Sequence, residues 1–200
     1  VCTYEGIYIL KNENGNWIIR NKVQGFDESS RDILATHNPN VFWICHGYKG
    51  VYRITLDKQL ERAIAIDHFT EKNGLPAKFN INVFKWQDET VFSTNNGVYK
   101  FDEYDKRFKP YKPINKIIDT TRNPRTIIDA KDKTWVVQDD ELGFFLTNSN
   151  NPKIQSDIFL QTKGTFNRGM ESITPLSENS LLVGTHNGLF LYDLSNTIRQ

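Results

Sequence analysis

The sequence predicts an all-β protein, a segment of a β-propeller made of four-stranded antiparallel blades, and three observations carry that prediction. A Gly–apolar–aromatic triplet recurs as Gly6-Ile7-Tyr8, Gly50-Val51-Tyr52, Gly97-Val98-Tyr99, Gly143-Phe144-Phe145 and Gly188-Leu189-Phe190, at intervals of 44, 47, 46 and 45 residues. Between triplets the apolar residues alternate instead of recurring at helical spacing. The 200 residues include 13 Phe, 8 Tyr and 4 Trp but one Met, a side-chain stock suited to sheets rather than helical bundles. A repeat of about 45 residues holding four short strands is the mark of a propeller blade. A lone four-stranded sheet leaves both faces and both edges bare, and radial stacking of successive sheets covers the faces. Two sheets packed as a sandwich would not need such a repeat.

With strands A to D named from the axis outward, residue 1 falls at strand B. Strand C follows from Ile7 to Leu10 and strand D from Trp17 to Arg20. The next unit reads as strand B at Val41-Phe42-Trp43-Ile44-Cys45, strand C up to Leu56, a turn at Asp57-Lys58-Gln59 and strand D at Ala63-Ile64-Ala65-Ile66. Then come Ile81 to Phe84 as A, Val91-Phe92 as B, Tyr99-Lys100-Phe101 in C and Phe108 to Tyr111 as D. A fourth unit has Thr126 to Asp129 as A, Trp135-Val136-Val137 as B and the Gly143 triplet as C. The last has Ile173 to Leu176 as A, Leu181 to Val183 as B and Leu189 to Asp193 as C, while residues 195–200 offer little as D. The units are a partial blade over 1–25, blades over 26–70, 71–115 and 116–162, and a partial blade over 163–200. Three complete blades do not close a ring, so the chain reads as a slice of a larger, seven-bladed propeller and as an internal stretch of a longer polypeptide. The Gly is expected where the B–C hairpin turns, as in Asn96-Gly97 and Asn187-Gly188. The aromatic two residues later is expected to fill the space between blades.

Composition narrows the function classes. Lys+Arg exceed Asp+Glu by 25 − 24 = 1, which gives no basic surplus for nucleic acid. The basic stretch Lys106, Arg107, Lys109, Lys112 and Lys116 reads as a charged outer edge that resists pairing with other chains. No apolar run approaches the roughly 20 residues of a membrane helix. The opening Val1-Cys2-Thr3-Tyr4-Glu5 is not a signal peptide. Cys2 and Cys45 read as free thiols beside B strands of adjacent blades. His46 and His186 sit in blades that are not neighbours, so no metal site is expected, and Asp139-Asp140-Glu141 reads as a solvated turn without a Ca²⁺ loop around it. Neither a nucleophile elbow nor a phosphate-binding loop is present, and no cofactor is expected.

In a propeller the B–C turns and D–A loops share one face around the axis. The turns here are His46-Gly47-Tyr48-Lys49, Thr94-Asn95-Asn96, Gln138 to Glu141 and Thr185-His186-Asn187, and the loops span about residues 21–31, 68–79, 115–125 and 161–170. Their candidate ligand-binding residues are Arg31, His46, Tyr48, Lys78, Asn95, Arg125, Asp140, Arg168 and His186, with Phe79 and Arg122 nearby. Guanidinium groups, amides and aromatic planes converging on one rim suit an oligosaccharide or another polar small ligand.

The C-strand pattern Gly188-Leu189-Phe190-Leu191-Tyr192-Asp193, with Gly97-Val98-Tyr99-Lys100-Phe101-Asp102, Val183-Gly184-Thr185 and the interblade Asn73-Gly74-Leu75-Pro76, resembles the two-component regulator propeller repeat. The resemblance spans essentially the whole chain and varies by copy. Gly143 lacks the Asp, and Phe92-Ser93-Thr94 and Ile44-Cys45-His46 replace Val183-Gly184-Thr185. It implies the sensor region of a Bacteroidetes regulator, hybrid two-component or triple-tyrosine with a LuxR-type output. An immunoglobulin-like domain, a membrane helix and a kinase or helix-turn-helix output would follow. The implied setting is the periplasm, and the implied partners are the remaining blades, the immunoglobulin-like domain and a second copy. The main reading is therefore a non-catalytic ligand sensor, with an interaction or dimerisation propeller as the alternative. A propeller enzyme would have to draw on Asp32, Asn82 and Asp129 in the A strands.

Overall fold

The computed structural model describes residues 1–167 and 169–195, folded into five antiparallel sheets that follow one another along the chain. The first holds β1 (Cys2–Thr3), β2 (Gly6–Glu13) and β3 (Asn16–Lys22). The second holds β4 (Asp32–Ala35), β5 (Val41–His46), β6 (Gly50–Leu56) and β7 (Ala63–Phe69). The third holds β8 (Asn82–Trp86), β9 (Glu89–Thr94), β10 (Gly97–Asp102) and β11 (Arg107–Pro110), followed by one helical turn, α1 (Lys112–Asn115). The fourth holds β12 (Pro124–Ala130), β13 (Lys133–Gln138) and β14 (Glu141–Leu146), and the fifth β15 (Ser172–Pro175), β16 (Ser180–Thr185) and β17 (Gly188–Asp193). Each sheet is a meander in which every strand pairs with its sequence neighbour. This is the β-propeller architecture.

The fourth sheet has no full outer strand. Its place is taken by a single antiparallel bridge between Phe144 and Gln155, closed by Phe144 N–H to Gln155 O at 3.1 Å and Gln155 N–H to Phe144 O at 2.8 Å. The segment leading to that bridge runs Asn148-Ser149-Asn150-Asn151-Pro152, rich in turn-formers and ending on a residue without an N–H.

The core lies between sheets. Four apolar clusters correspond one to one with the four junctions. Ile7, Val23 and Phe26 meet Ile44, Tyr52 and Ile54 between the first and second sheets. Trp43, Val51 and Phe69 meet Val83, Phe92, Phe101 and Phe108 between the second and third. Trp86, Val91 and Val98 meet Ile127, Val136 and Phe145 at the next junction, and Trp135, Val137 and Phe144 meet Ile173, Leu181 and Val183 at the last. Because side chains alternate along a strand, each sheet supplies one set to the sheet before it and the other to the sheet after it. The triplet aromatics Tyr52, Tyr99, Phe145 and Phe190 all lie in or against these clusters.

The repeated Gly has a different role from the one expected. In the third sheet Thr94 pairs with Gly97, so Asn95 and Asn96 form the centre of the turn, both with negative φ, and Gly97 follows it at φ 87°. Close approach to a backbone carbonyl explains the Gly in the first two sheets, whereas a Cβ on Gly188 would meet nothing within 4 Å and φ of 149° is what favours Gly there. A Cβ on Gly6 would lie 2.4 Å from the Phe26 carbonyl oxygen, and one on Gly50 would lie 2.3 Å from that of Phe69. In each case the chain leaving strand D crosses the start of strand C.

One charged side chain fastens the second junction. Arg53 Nε and Nη2 donate to Asp67 Oδ2 at 3.1 and 2.9 Å, and Nη1 donates to Glu103 Oε1 of the next sheet at 2.7 Å. Its guanidinium lies 5.2 Å from the ring centroids of both Trp43 and Phe101. Both carboxylates remain more than half exposed, so removing Arg53 strands no buried charge. Arg53→Ala is expected to cost about 2 kcal/mol and Arg53→Met, which keeps the apolar stem, about half of that, read from urea denaturation midpoints.

Candidate functional site

In the three sheets that have a D strand the pairing places the B–C turn beside its end, as where Val51 at the start of β6 faces Phe69 at the end of β7 while His46 faces Gly50. B–C turns and D–A loops therefore share one rim, and A–B and C–D turns occupy the opposite face.

In four of the five sheets the last residue of the B strand organises its turn. Thr94 Oγ1 donates to Gly97 O at 2.8 Å and accepts from Asn96 N–H at 3.0 Å. Thr3 and Thr185 hold their own turns in the same way. The turn after His46 is one residue longer, and the longer imidazole spans it: Nδ1 accepts from the N–H groups of Tyr48 at 2.9 Å and Lys49 at 3.2 Å. Gln138 reaches the neighbouring loop instead, donating to Asp119 O at 2.8 Å. Of these B-strand termini, His46, Thr94, Gln138 and Thr185 fall in the turns marked out by the sequence, and Thr3 does not. The signal was present as a polar residue three to five positions before each triplet Gly.

Polar contacts run along the rim from sheet to sheet. Ser30 N–H donates to Thr3 O at 3.0 Å between the first two sheets. Asn82 Nδ2, at the start of β8, donates to Asp32 Oδ2, at the start of β4, at 2.6 Å. Asn95 Oδ1 accepts from Asn80 and from Asn123, which leads into β12. Arg125 Nη2 donates to Phe166 O at 3.2 Å, and its Nε lies 3.6 Å from Glu171 Oε1 with both side chains buried. Burial raises the Asp32 carboxyl above its ordinary value, against the lowering effects of the Asn82 hydrogen bond and the Arg31 charge. Burial likewise pushes the Cys45 thiol well up, and both Cys2 and Cys45 are free.

The structure brings some candidates together and scatters others. Asn95 and Arg125 belong to the interblade chain just described. Arg31 is exposed, with its guanidinium close to Gly169. Tyr48, Lys78 and His186 are exposed, Tyr48 at 78%, as is Phe79. His46 is buried and spends Nδ1 on its own turn, so what it presents is Tyr48 rather than itself. Asp140 is exposed beside an acidic run that Arg122 occupies, with Nη1 on Glu141 at 2.9 Å and Nη2 on Gln138 O at 2.9 Å. Arg168 lies outside the described residues, as do residues 196–200 of the tail. Asp129 sits at the opposite end of its strand, accepting from Gln87 N–H at 2.8 Å, and does not join Asp32 and Asn82. The rim can thus offer hydrogen bonds and aromatic planes to a polar ligand.

The fold has relatives among solved structures. The crystal structure of the extracellular domain of BT4673, a candidate one component system of B. thetaiotaomicron, matches 100% of this chain and 25% of its own at 17% identity and a TM-score of 0.66. That of BT3049, a candidate hybrid two component system of the same organism, matches 97% of this chain and 23% of its own at 19% identity and a TM-score of 0.56. The chain therefore spans about a quarter of the length of these structures. They are the kind of domain that the repeat's resemblance implied. No protein-family model matches the sequence, and no curated protein does.

Proposed function

We propose that this chain is part of the extracytoplasmic ligand-sensing propeller of a bacterial two-component or LuxR-type regulator, responsive to a glycan or another polar small ligand held on the rim. One observation carries the reading: the likeness of its entire length to extracellular domains of regulatory systems in B. thetaiotaomicron. Residues 1–195 include no helix long and apolar enough to cross a membrane among those described, which fits a region lying outside the bilayer. Signalling would follow from differential affinity, a ligand shifting output only by as much as it prefers one propeller arrangement over the other.

The end sheets fit a longer assembly. Val1, Trp17 and Ile19 of the first sheet and Leu189 and Leu191 of the fifth are exposed at 59 to 70%. Leu10 pairs with Ile19 at the position where Ile54 packs in the next sheet, and Leu189 stands where Val51 does. Further sheets of the same repeat are the occupants these positions suit. The alternative, an interaction propeller without a small ligand, draws on the same apolar faces.

A thermal-shift screen of neutral, uronic and sulfated oligosaccharides on the intact propeller separates the two. Binding should raise Tm, and Tyr48→Ala, whose side chain makes no core contact, should leave the unliganded Tm unchanged while weakening the shift. No Tm shift with any member of the panel, together with signalling unaffected by Tyr48→Ala, would overturn the sensor reading.

A further inference from the structure

We propose that the turn of residues 46–50 is a proton-operated latch, which opens when His46 takes up a proton and releases Tyr48 and Lys49 from the rim. His46, at the end of β5, is only 8% exposed. Its Nδ1 accepts the N–H groups of Tyr48 and Lys49, so that nitrogen holds a lone pair and Nε2 bears the single proton of the neutral ring. Nε2 faces Glu28 Oε2 at 3.7 Å. A second proton has only Nδ1 to go to. There it would confront two N–H groups, and two hydrogen bonds would become two repulsive contacts.

The charges packed around the ring do not rescue the imidazolium. Glu28, from the loop before β4, would favour it, but Lys49 Nζ already binds that carboxylate at 2.7 Å. Lys49 and His68 both oppose a further positive charge. His68, from β7, is stacked on Tyr52 of β6 with centroids 4.3 Å apart, and its Nε2 donates to Lys49 O at 2.5 Å. Burial is the largest effect, and the balance holds His46 below its ordinary value. A His depressed in the folded state adds stability above its unfolded value of about 6.5 and loses it as the pH falls below that. The latch is therefore closed at neutral pH and opens in acid. Thr3, Thr94 and Thr185 hold the equivalent turns with hydroxyls that do not titrate. The latch is independent of any ligand on the rim.

Hydrogen–deuterium exchange of the intact chain at about pH 8 and about pH 5.5, normalised to intrinsic rates, tests it. Protection over residues 47–50 should fall by about tenfold or more in acid, one pKa unit being tenfold, while the hairpin of residues 94–97 stays unchanged. His46→Asn, whose amide oxygen accepts the same bonds without titrating, should abolish the response. His68→Phe, which keeps the stack on Tyr52, should leave it intact. Equal protection at both pH values, a response that survives His46→Asn, or one that disappears with His68→Phe would each overturn the latch. Should His46→Asn fail to fold, an NMR titration of the His46 ring decides: a midpoint coinciding with the loss of protection supports the latch, and a midpoint at or above about 6.5 overturns it.

Discussion

Trp43→Ala is expected to destabilise the protein by about 3–5 kcal/mol, within the range for deleting a large buried aromatic from a core that cannot collapse. Trp43 is 4% exposed and lies at the centre of the second junction. Its ring contacts those of Phe69, Phe92, Phe101 and Phe108 at centroid distances of 5.1 to 6.1 Å, mostly edge to face. Two of these partners are on β10 and β11 and one on β9, so the loss separates two sheets rather than loosening one. Arg53 would also lose the aromatic surface over which it lies, and its ion pairs would revert to the value of exposed ones. Guanidinium denaturation of Trp43→Ala beside Trp17→Ala is the measurement. Trp17 is 69% exposed, and its removal should change stability by less than about 1 kcal/mol. Equal effects at the two positions would show that Trp43 does not hold the second junction together.

Gly50→Ala should cost about 3 kcal/mol or more, whereas Gly15→Ala should cost about 1 kcal/mol. Both residues have positive φ, 94° and 88°, so the conformational penalty is shared. They differ in what a Cβ would meet. At Gly50 it would lie 2.3 Å from the Phe69 carbonyl oxygen, a backbone atom held by strand pairing, while at Gly15 nothing lies within 4 Å. Val51 and Phe69 are cross-strand partners, so relief of the clash would have to break the β6–β7 ladder. Matched thermal melts of the two variants isolate the close approach from the backbone preference.

Much of the fold was legible because propeller geometry is periodic in sequence. Equal spacing of the triplets located all five C strands, and the apolar runs before the last four located their B strands, since inner strands of a stacked sheet are covered on both faces. The outer strand of the fourth sheet was not legible. Its single bridge at Gln155 follows a turn-rich stretch with no alternation to signal pairing. The close approach of the Phe26 and Phe69 carbonyls to Gly6 and Gly50 was not legible either, because each comes from a segment about 20 residues further along the chain.

The rim was legible as a place and not as a set of contacts. Loop positions followed from strand order, so Tyr48, Asn95, Arg125 and His186 could be assigned to one face. Nothing local in the sequence indicated that His46 would turn inward to hold Tyr48 and Lys49, or that Arg122 would occupy the acidic run.

The sequence by itself determined the all-β class, the blade period and which face carries the loops, because alternation and spacing are properties of neighbouring residues. The tertiary structure alone decided which polar groups meet: Asp32 with Asn82, Arg125 with Glu171, Arg53 with Glu103. Each pair joins different sheets and is separated by 46 to 50 positions in the chain, about one blade. Contacts of that kind depend on the twist and tilt with which one sheet settles on the next, and no local pattern of residues encodes that angle.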